Sequence, residues 1–225
     1  MYTDLGAFYL RAGRWDDAIN IFGKFTALAP DDFGAHANLG SAYFYAGRFP
    51  EAATAYERSF TLEPNRTALS NTATMYFYSG EFERAAELYL EATKLAPKDH
   101  RVWINLADAE AKITGAESAA ISHYEQACDL LAEHLQVNEK KTETLALFAW
   151  CSVNIGEPEV AELRITEAVT LAGDDPVILY YAAQVNYRLG KRKIAESFVR
   201  QALEHGFPSN VMAATPGLSE LVPEE

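Results

Sequence analysis

Glycine recurs along this chain at a nearly constant step, and that step limits the folds open to it. Gly13, Gly47, Gly80, Gly115, Gly156 and Gly190 are separated by 34, 33, 35, 41 and 34 residues. An alanine follows each glycine by five residues, at Ala18, Ala52, Ala85, Ala120, Ala161 and Ala195. Four residues past each alanine stands a large apolar or aromatic side chain: Phe22, Tyr56, Tyr89, Tyr124, Ile165 and Val199. Registers that stay locked together through six copies are an internal repeat.

The unit can be read physically. A glycine closing an amphipathic run takes the left-handed conformation that satisfies the last helical carbonyls, so one helix ends at each glycine. The alanine then lies on a second helix where only a methyl group lets two axes approach, and the large side chain one turn later fills the adjacent space. Pro30, Pro64 and Pro97 follow Phe22, Tyr56 and Tyr89 by eight residues and stop the second helix. Each unit is therefore an antiparallel helical hairpin.

Repeat two carries His36, Leu39, Gly40, Tyr43, Gly47, Phe49, Ala52, Tyr56 and Pro64. The small residue after the leucine position is Gly6, Gly40, Ala73, Ala107, Ala149 and Ala183 through the six copies. In this order of residues the chain resembles the tetratricopeptide repeat (TPR) family. The resemblance implies an all-α fold: a right-handed α-solenoid, or superhelix, of about six helix-turn-helix repeats with a short C-terminal cap. The repeats fall near residues 1–32, 33–65, 66–99, 100–134, 142–175 and 176–207, with a longer connection at 131–141 and a capping tail at 208–225. The 41-residue step predicts a lengthened second helix in repeat four, a loop at Val137 to Asn138, and an offset between two sub-stacks. Repeat five lacks the aromatic positions, and Ala132, Gly173 and Phe207 stand in place of the closing proline in repeats four to six. The stretch from Asn38 to Arg48 and the closing His205 to Asn210 also resemble the C-terminal TPR regions of bacterial signalling enzymes such as serine/threonine kinases and cyclases. Repeat one is already in mid-pattern by Leu5 and Gly6, which predicts a module trimmed from a longer polypeptide.

Charge and chemistry narrow the partners. With 19 Lys and Arg against 32 Asp and Glu, the formal charge of -13 repels phosphate backbones and anionic lipid, so neither nucleic acid nor membrane is an expected partner. Cys128 and Cys151 are too few for a disulfide framework and have no metal-ligand spacing. They stand where the repeat usually has Leu and Ala, as buried thiols do. Without a basic, apolar leader or a long apolar run, the expected compartment is the cytoplasm. His36, His100, His123, His134 and His205 are scattered over different repeats. No catalytic set, cofactor or metal is expected.

In TPR superhelices the inner wall is made by the first helix of each repeat and holds peptides. Asp4, Asn38, Asn71 and Asn105 share one inward register, resembling the asparagine ladder that grips a peptide backbone. An amide both donates and accepts, so it pairs with a peptide group whatever the guest's sequence. Side-chain anchors are expected from Phe44, Tyr45, Phe77, Tyr78, Trp150, Tyr180, Gln184 and Tyr187, with Arg101 and Lys112 as nearby cations. Ala37, Ser41, Asn71, Arg101 and Asn105 hold at most one cation, which argues against capture of acidic chaperone tails. The expected function is a protein-interaction module, monomeric or weakly dimeric, that binds an extended protein or peptide segment. The alternative is a structural or oligomerisation element that uses its end faces or outer helices.

Overall fold

A glycine with positive φ lies in the turn after the first helix of every hairpin in the computed structural model, which describes residues 1–137 and 141–223. The φ values are 68, 72, 80, 88, 84 and 74° at Gly13, Gly47, Gly80, Gly115, Gly156 and Gly190. In five hairpins the next N–H reaches back to the same carbonyl of the preceding turn. The pairs are Arg14 to Tyr9, Arg48 to Tyr43, Glu81 to Tyr76, Glu157 to Ser152 and Lys191 to Asn186, each at 2.9 Å. Repeat four has one extra residue here. Its turn closes through Ala116 to Ile113 at 3.1 Å, and the Gly115 N–H donates to the Glu117 carboxylate at 3.2 Å.

The chain forms two compact units, Met1–Pro97 and Lys98–Glu225. The first contains α1 (Tyr2–Arg11), α2 (Trp15–Leu28), α3 (Phe33–Tyr45), α4 (Phe49–Leu62), α5 (Arg66–Tyr78) and α6 (Phe82–Leu95). The second contains α7 (His100–Glu110), α8 (Glu117–Val137), α9 (Thr142–Asn154), α10 (Pro158–Ala172), α11 (Pro176–Arg188), α12 (Arg192–Glu204) and α13 (Ser209–Ala214), then a 3-10 turn at Ser219–Leu221. No strand occurs among the described residues. Four of the six first helices start on side-chain caps: the carboxylates of Asp32, Asp99 and Asp175 and the Asn65 amide oxygen accept from the first turns of α3, α7, α11 and α5.

Small residues let the helices of a hairpin touch. In the first unit the Phe22 ring lies so close to Gly6 that a Cβ there would sit 2.3 Å from it. At Gly40 the corresponding distance to the Tyr56 ring is 3.0 Å. The alanines five residues after each glycine are all buried, as are the six large side chains one turn later. Each large side chain removed from water contributes about 1.5–3 kcal/mol. A hydroxyl bond recurs inside the hairpins: Ser41 with Tyr56 at 2.9 Å and Thr74 with Tyr89 at 2.7 Å in the first unit, and Tyr124 donating to Asp108 at 2.5 Å in the second.

The lengthened second helix is α8, with 21 residues against 13 to 15 for the other second helices. Val137 is its last residue, and the rest of the loop expected at Val137 to Asn138 lies outside the described residues. The long connection falls inside the second unit, where α8 and α9 share one core of Tyr124, Ala127, Leu131, Leu147 and Cys151. At the end of that unit the tail folds back. Met212, Leu218 and Leu221 pack on Leu179, Ala183 and Val199, and Glu220 accepts from Tyr187 at 2.7 Å and Arg192 at 3.0 Å.

Candidate peptide-binding faces

In the first unit Asn38 on α3 and Asn71 on α5 stand two residues before Gly40 and Ala73, at equivalent places on successive first helices. Both are half-buried, and among the described residues neither side chain makes a hydrogen bond. Asp4 at the same place on α1 is exposed and meets the Met1 amino group at 3.1 Å. Phe44 and Phe77 are half-buried links in a string of rings along the hairpin tips. Trp15 stacks on Tyr45 at 5.4 Å, Tyr45 meets Phe44 edge-on at 5.3 Å, and Phe44 lies 6.1 Å from Phe49. Phe49 stacks on Tyr78 at 5.3 Å, and Tyr78 leads at 5.5 Å to Phe77, which lies 5.5 Å from Phe82. Phe44, 6.3 Å from Tyr78, thus joins consecutive repeats, while Phe77 packs within its own hairpin; both also reach the surface.

Arginine sits over a first-helix tyrosine in each hairpin of this unit: Arg14 over Tyr9, Arg48 over Tyr43 and Arg84 over Tyr76, at 4.6, 4.8 and 3.9 Å. Repeat three has Glu81 where the others have arginine, and Arg84, three residues on, takes the ring instead. Such contacts contribute about 0.5–1 kcal/mol each at exposed sites.

In the second unit Asn105 on α7 is half-buried, and its amide too makes no hydrogen bond among the described residues. Arg101 is exposed and holds Glu143 of α9 at 2.6 Å, tying two first helices together. Trp150 is half-buried between two cores and donates its Nε1 to Asp108 at 2.9 Å. Tyr180 stacks on Phe207 at 4.4 Å and shares a hydrogen bond with Thr215 of the tail at 3.1 Å. Gln184, one turn later on α11, is half-buried and makes no side-chain hydrogen bond among the described residues. The fold brings Asn105 and Trp150 to one side of α7 and places Tyr180 under the tail.

Asp108 is the residue that sequence reasoning missed. It occupies the place of Ser41 and Thr74, so a carboxylate stands where the first unit has hydroxyls. Tyr124 and Trp150 both donate to its Oδ1. Burial pushes its carboxyl up to about 6, against the opposing pull of those two donors and of Lys112 and Arg188. The available signal was a carboxylate in a row of small hydroxyl residues. Burial likewise raises Tyr124 and Cys151, and Cys151 touches Cys128. His100 is buried with its ring edge-on to His134 at 5.0 Å, and burial first, then His134, lowers it to about 4. Among the described residues no group of three or more metal-ligating side chains occurs, and no helix is long and apolar enough to cross a membrane.

The sequence profile described as "Tetratricopeptide repeat" matches residues 4–65 and 71–133, more than half of the chain. The chain belongs to the tetratricopeptide repeat family. Superkiller protein 3 of Schizosaccharomyces pombe is 28% identical over 152 residues, which are 66% of this chain and 11% of that protein. The chain thus spans about a tenth of that curated relative. The solved structure of TTC0263, a thermophilic TPR protein of Thermus thermophilus, superposes with a TM-score of 0.60 at 21% identity, covering 84% of this chain and all of that one. The structure of the APC/C hetero-tetramer Cut9-Hcn1 gives 0.63 at 19% identity, covering 99% of this chain and 42% of that one. These likenesses establish an all-α TPR solenoid fold. TPR repeats mediate protein–protein interaction and scaffolding, and the chain carries them along most of its length.

Proposed function

We propose that this TPR chain is a protein-interaction module that holds an extended segment of a partner along its first-helix faces. The observation that carries the reading is the set of equivalent amides, Asn38 and Asn71 in the first unit and Asn105 in the second, which have no hydrogen-bond partner among the described residues. An amide left free at a repeated place offers a guest backbone both a donor and an acceptor. Three such contacts contribute about 0.5–1.5 kcal/mol each, against about 2–5 kcal/mol for ordering a flexible segment, so side-chain anchors are needed as well. Phe44 and Phe77 in the first unit, and Arg101, Trp150 and Gln184 in the second, supply that chemistry, with Tyr180 contributing through the tail. The solved neighbour that is part of a hetero-tetramer favours an assembly role. We place the chain in the cytoplasm, as a monomer or weak homodimer and as the regulatory part of a larger signalling protein. Self-association through the tail is disfavoured, because Leu218 and Leu221 are already buried.

The test is selection from a random-peptide display library on the wild-type protein, followed by binding of the selected peptides to the Asn38→Ala, Asn71→Ala, Asn105→Ala variant. Loss of binding at an unchanged melting temperature supports the reading. Retention of full affinity rejects it.

A further inference from the structure

Phe8 and Leu5 on α1 are 55% and 40% exposed. Phe8 stands two residues after Gly6; at the same place the later first helices carry Ala42, Met75, Ala109, Cys151 and Val185, and all five are buried. In place of Leu5 they carry Leu39, Thr72, Leu106, Phe148 and Ala182, which are buried or half-buried. Second helices provide the cover. Ala42 shares a core with Ala18 and Phe22 of α2, Cys151 with Tyr124 and Leu131 of α8, and Val185 with Ala161 and Ile165 of α10. A face that the repeat covers on its later first helices therefore lies open on α1.

From this open face we infer that two copies of the chain pair through α1, antiparallel about a two-fold axis, with Phe8 and Leu5 of each lying against α1 of the other. Side-chain size argues against a second helix of the repeat as the occupant. The residues at the place of Phe8 in the later repeats are no larger than methionine, and a second helix brings a large side chain such as Phe22 to that place, so phenylalanine would be overpacked. Charge favours a second copy. Asp4 in the first turn and Arg11 in the last are exposed and lie two turns apart on one flank of α1. Antiparallel pairing sets Asp4 of each copy beside Arg11 of the other and opposes the two helix dipoles, whereas parallel pairing sets like charges together. The Met1 amino group that Asp4 meets at 3.1 Å is as exposed as Asp4 itself, so that contact is weak and yields readily. No other charged side chain lies on α1, which makes it a neutral approach on a chain of formal charge -13. The tail covers Leu179, Ala183 and Val199, so the hairpin of α11 and α12 offers no open end to α1 of another copy, and the pairing closes at two. Two large side chains a copy are far fewer than the about 20–30 residues a side of a stable interface, so the dimer is weak.

The experiment is sedimentation equilibrium of the full chain from about 1 μM to about 1 mM, a span that covers weak association. The wild type is expected to pass from monomer to dimer within it and to go no further. Phe8→Ala removes an exposed side chain, so it is expected to melt as the wild type does and to dimerise about tenfold more weakly. Asp4→Arg and Arg11→Asp each set like charges together and are expected to weaken the dimer when alone. Their equimolar mixture is expected to pair as tightly as the wild type, because each copy then supplies the charge that the other lacks. A wild type that stays monomeric overturns the inference, as does a dimer indifferent to Phe8→Ala, a mixture no tighter than its components, or growth beyond two copies. A synthetic peptide of the α2 sequence, residues 15–28, tests the rival occupant: it is expected not to bind, and binding that is lost in Phe8→Ala would assign the face to a second helix and overturn the pairing. None of these variants alters Asn38, Asn71 or Asn105, so the outcome stands apart from the peptide-binding reading.

Discussion

Asp108 shows how one residue changes the physics of a repeated place. Its carboxyl value of about 6, against 3.8 for an unperturbed group, means that the native state holds the proton more tightly than the unfolded chain does. Between those values the native state binds more protons, so stability falls as pH rises through the window and is lowest above it. The ionised form weakens the fold by on the order of 2–3 kcal/mol, at about 1.4 kcal/mol per pH unit. Asparagine keeps an acceptor for Tyr124 and Trp150 without the charge. Asp108→Asn should therefore raise the melting temperature at neutral pH by several degrees and lose that advantage near pH 4; calorimetry across the window would show it. The helix-facing glycines give a second residue-level contrast. A Cβ at Gly6 would meet the fully buried Phe22 ring at 2.3 Å, so Gly6→Ala should cost about 2 kcal/mol in a urea melt. At Gly40 the gap is 3.0 Å, and the tyrosines of repeats three and four already accept Ala73 and Ala107 at the same place. Gly40→Ala should stay within about 1 kcal/mol of wild type, helped by the better helix propensity of alanine.

At the scale of elements, the hairpins were legible because their signals are local. Each glycine, alanine and proline acts on its own turn, and the helices begin and end where those residues place them. The candidate site was legible only in part. The register that found Asn38, Asn71 and Asn105 is a property of the helix and survives folding. Tyr180 was assigned by the same register, but what covers it is set by Phe207 and Thr215, which reach it only when the tail folds back. Asp108 escaped notice for a related reason: an acidic residue late in a helix reads as a solvated one until the tyrosine of the next helix is placed against it. The tail packs as part of the last repeat. Leu218→Ala should cost about 2–4 kcal/mol and lower the urea midpoint, whereas Leu163→Ala, at an exposed position on α10, should leave it unchanged.

For the whole molecule the charge of -13 opposes folding through self-repulsion, and the ion pairs that offset it lie mostly at the surface, where each contributes little. Raising ionic strength from about 0.01 M to about 0.15 M shortens the reach of that repulsion from about 30 Å to about 8 Å. The melting temperature should rise over this range; a fall would mean that the ion pairs outweigh the repulsion. A further limit follows from the hydroxyl bonds within the hairpins. Burial raises Tyr56 and Tyr124 above the ordinary phenol value of 10.0, so the native state keeps those protons and loses stability as alkali strips them from the unfolded chain. The fifth and sixth hairpins carry Ile165 and Val199 at that place and have no phenol there to lose a proton. Strong base should therefore open the second and fourth hairpins ahead of the fifth, which has no tyrosine, so that alkali attacks this array from within.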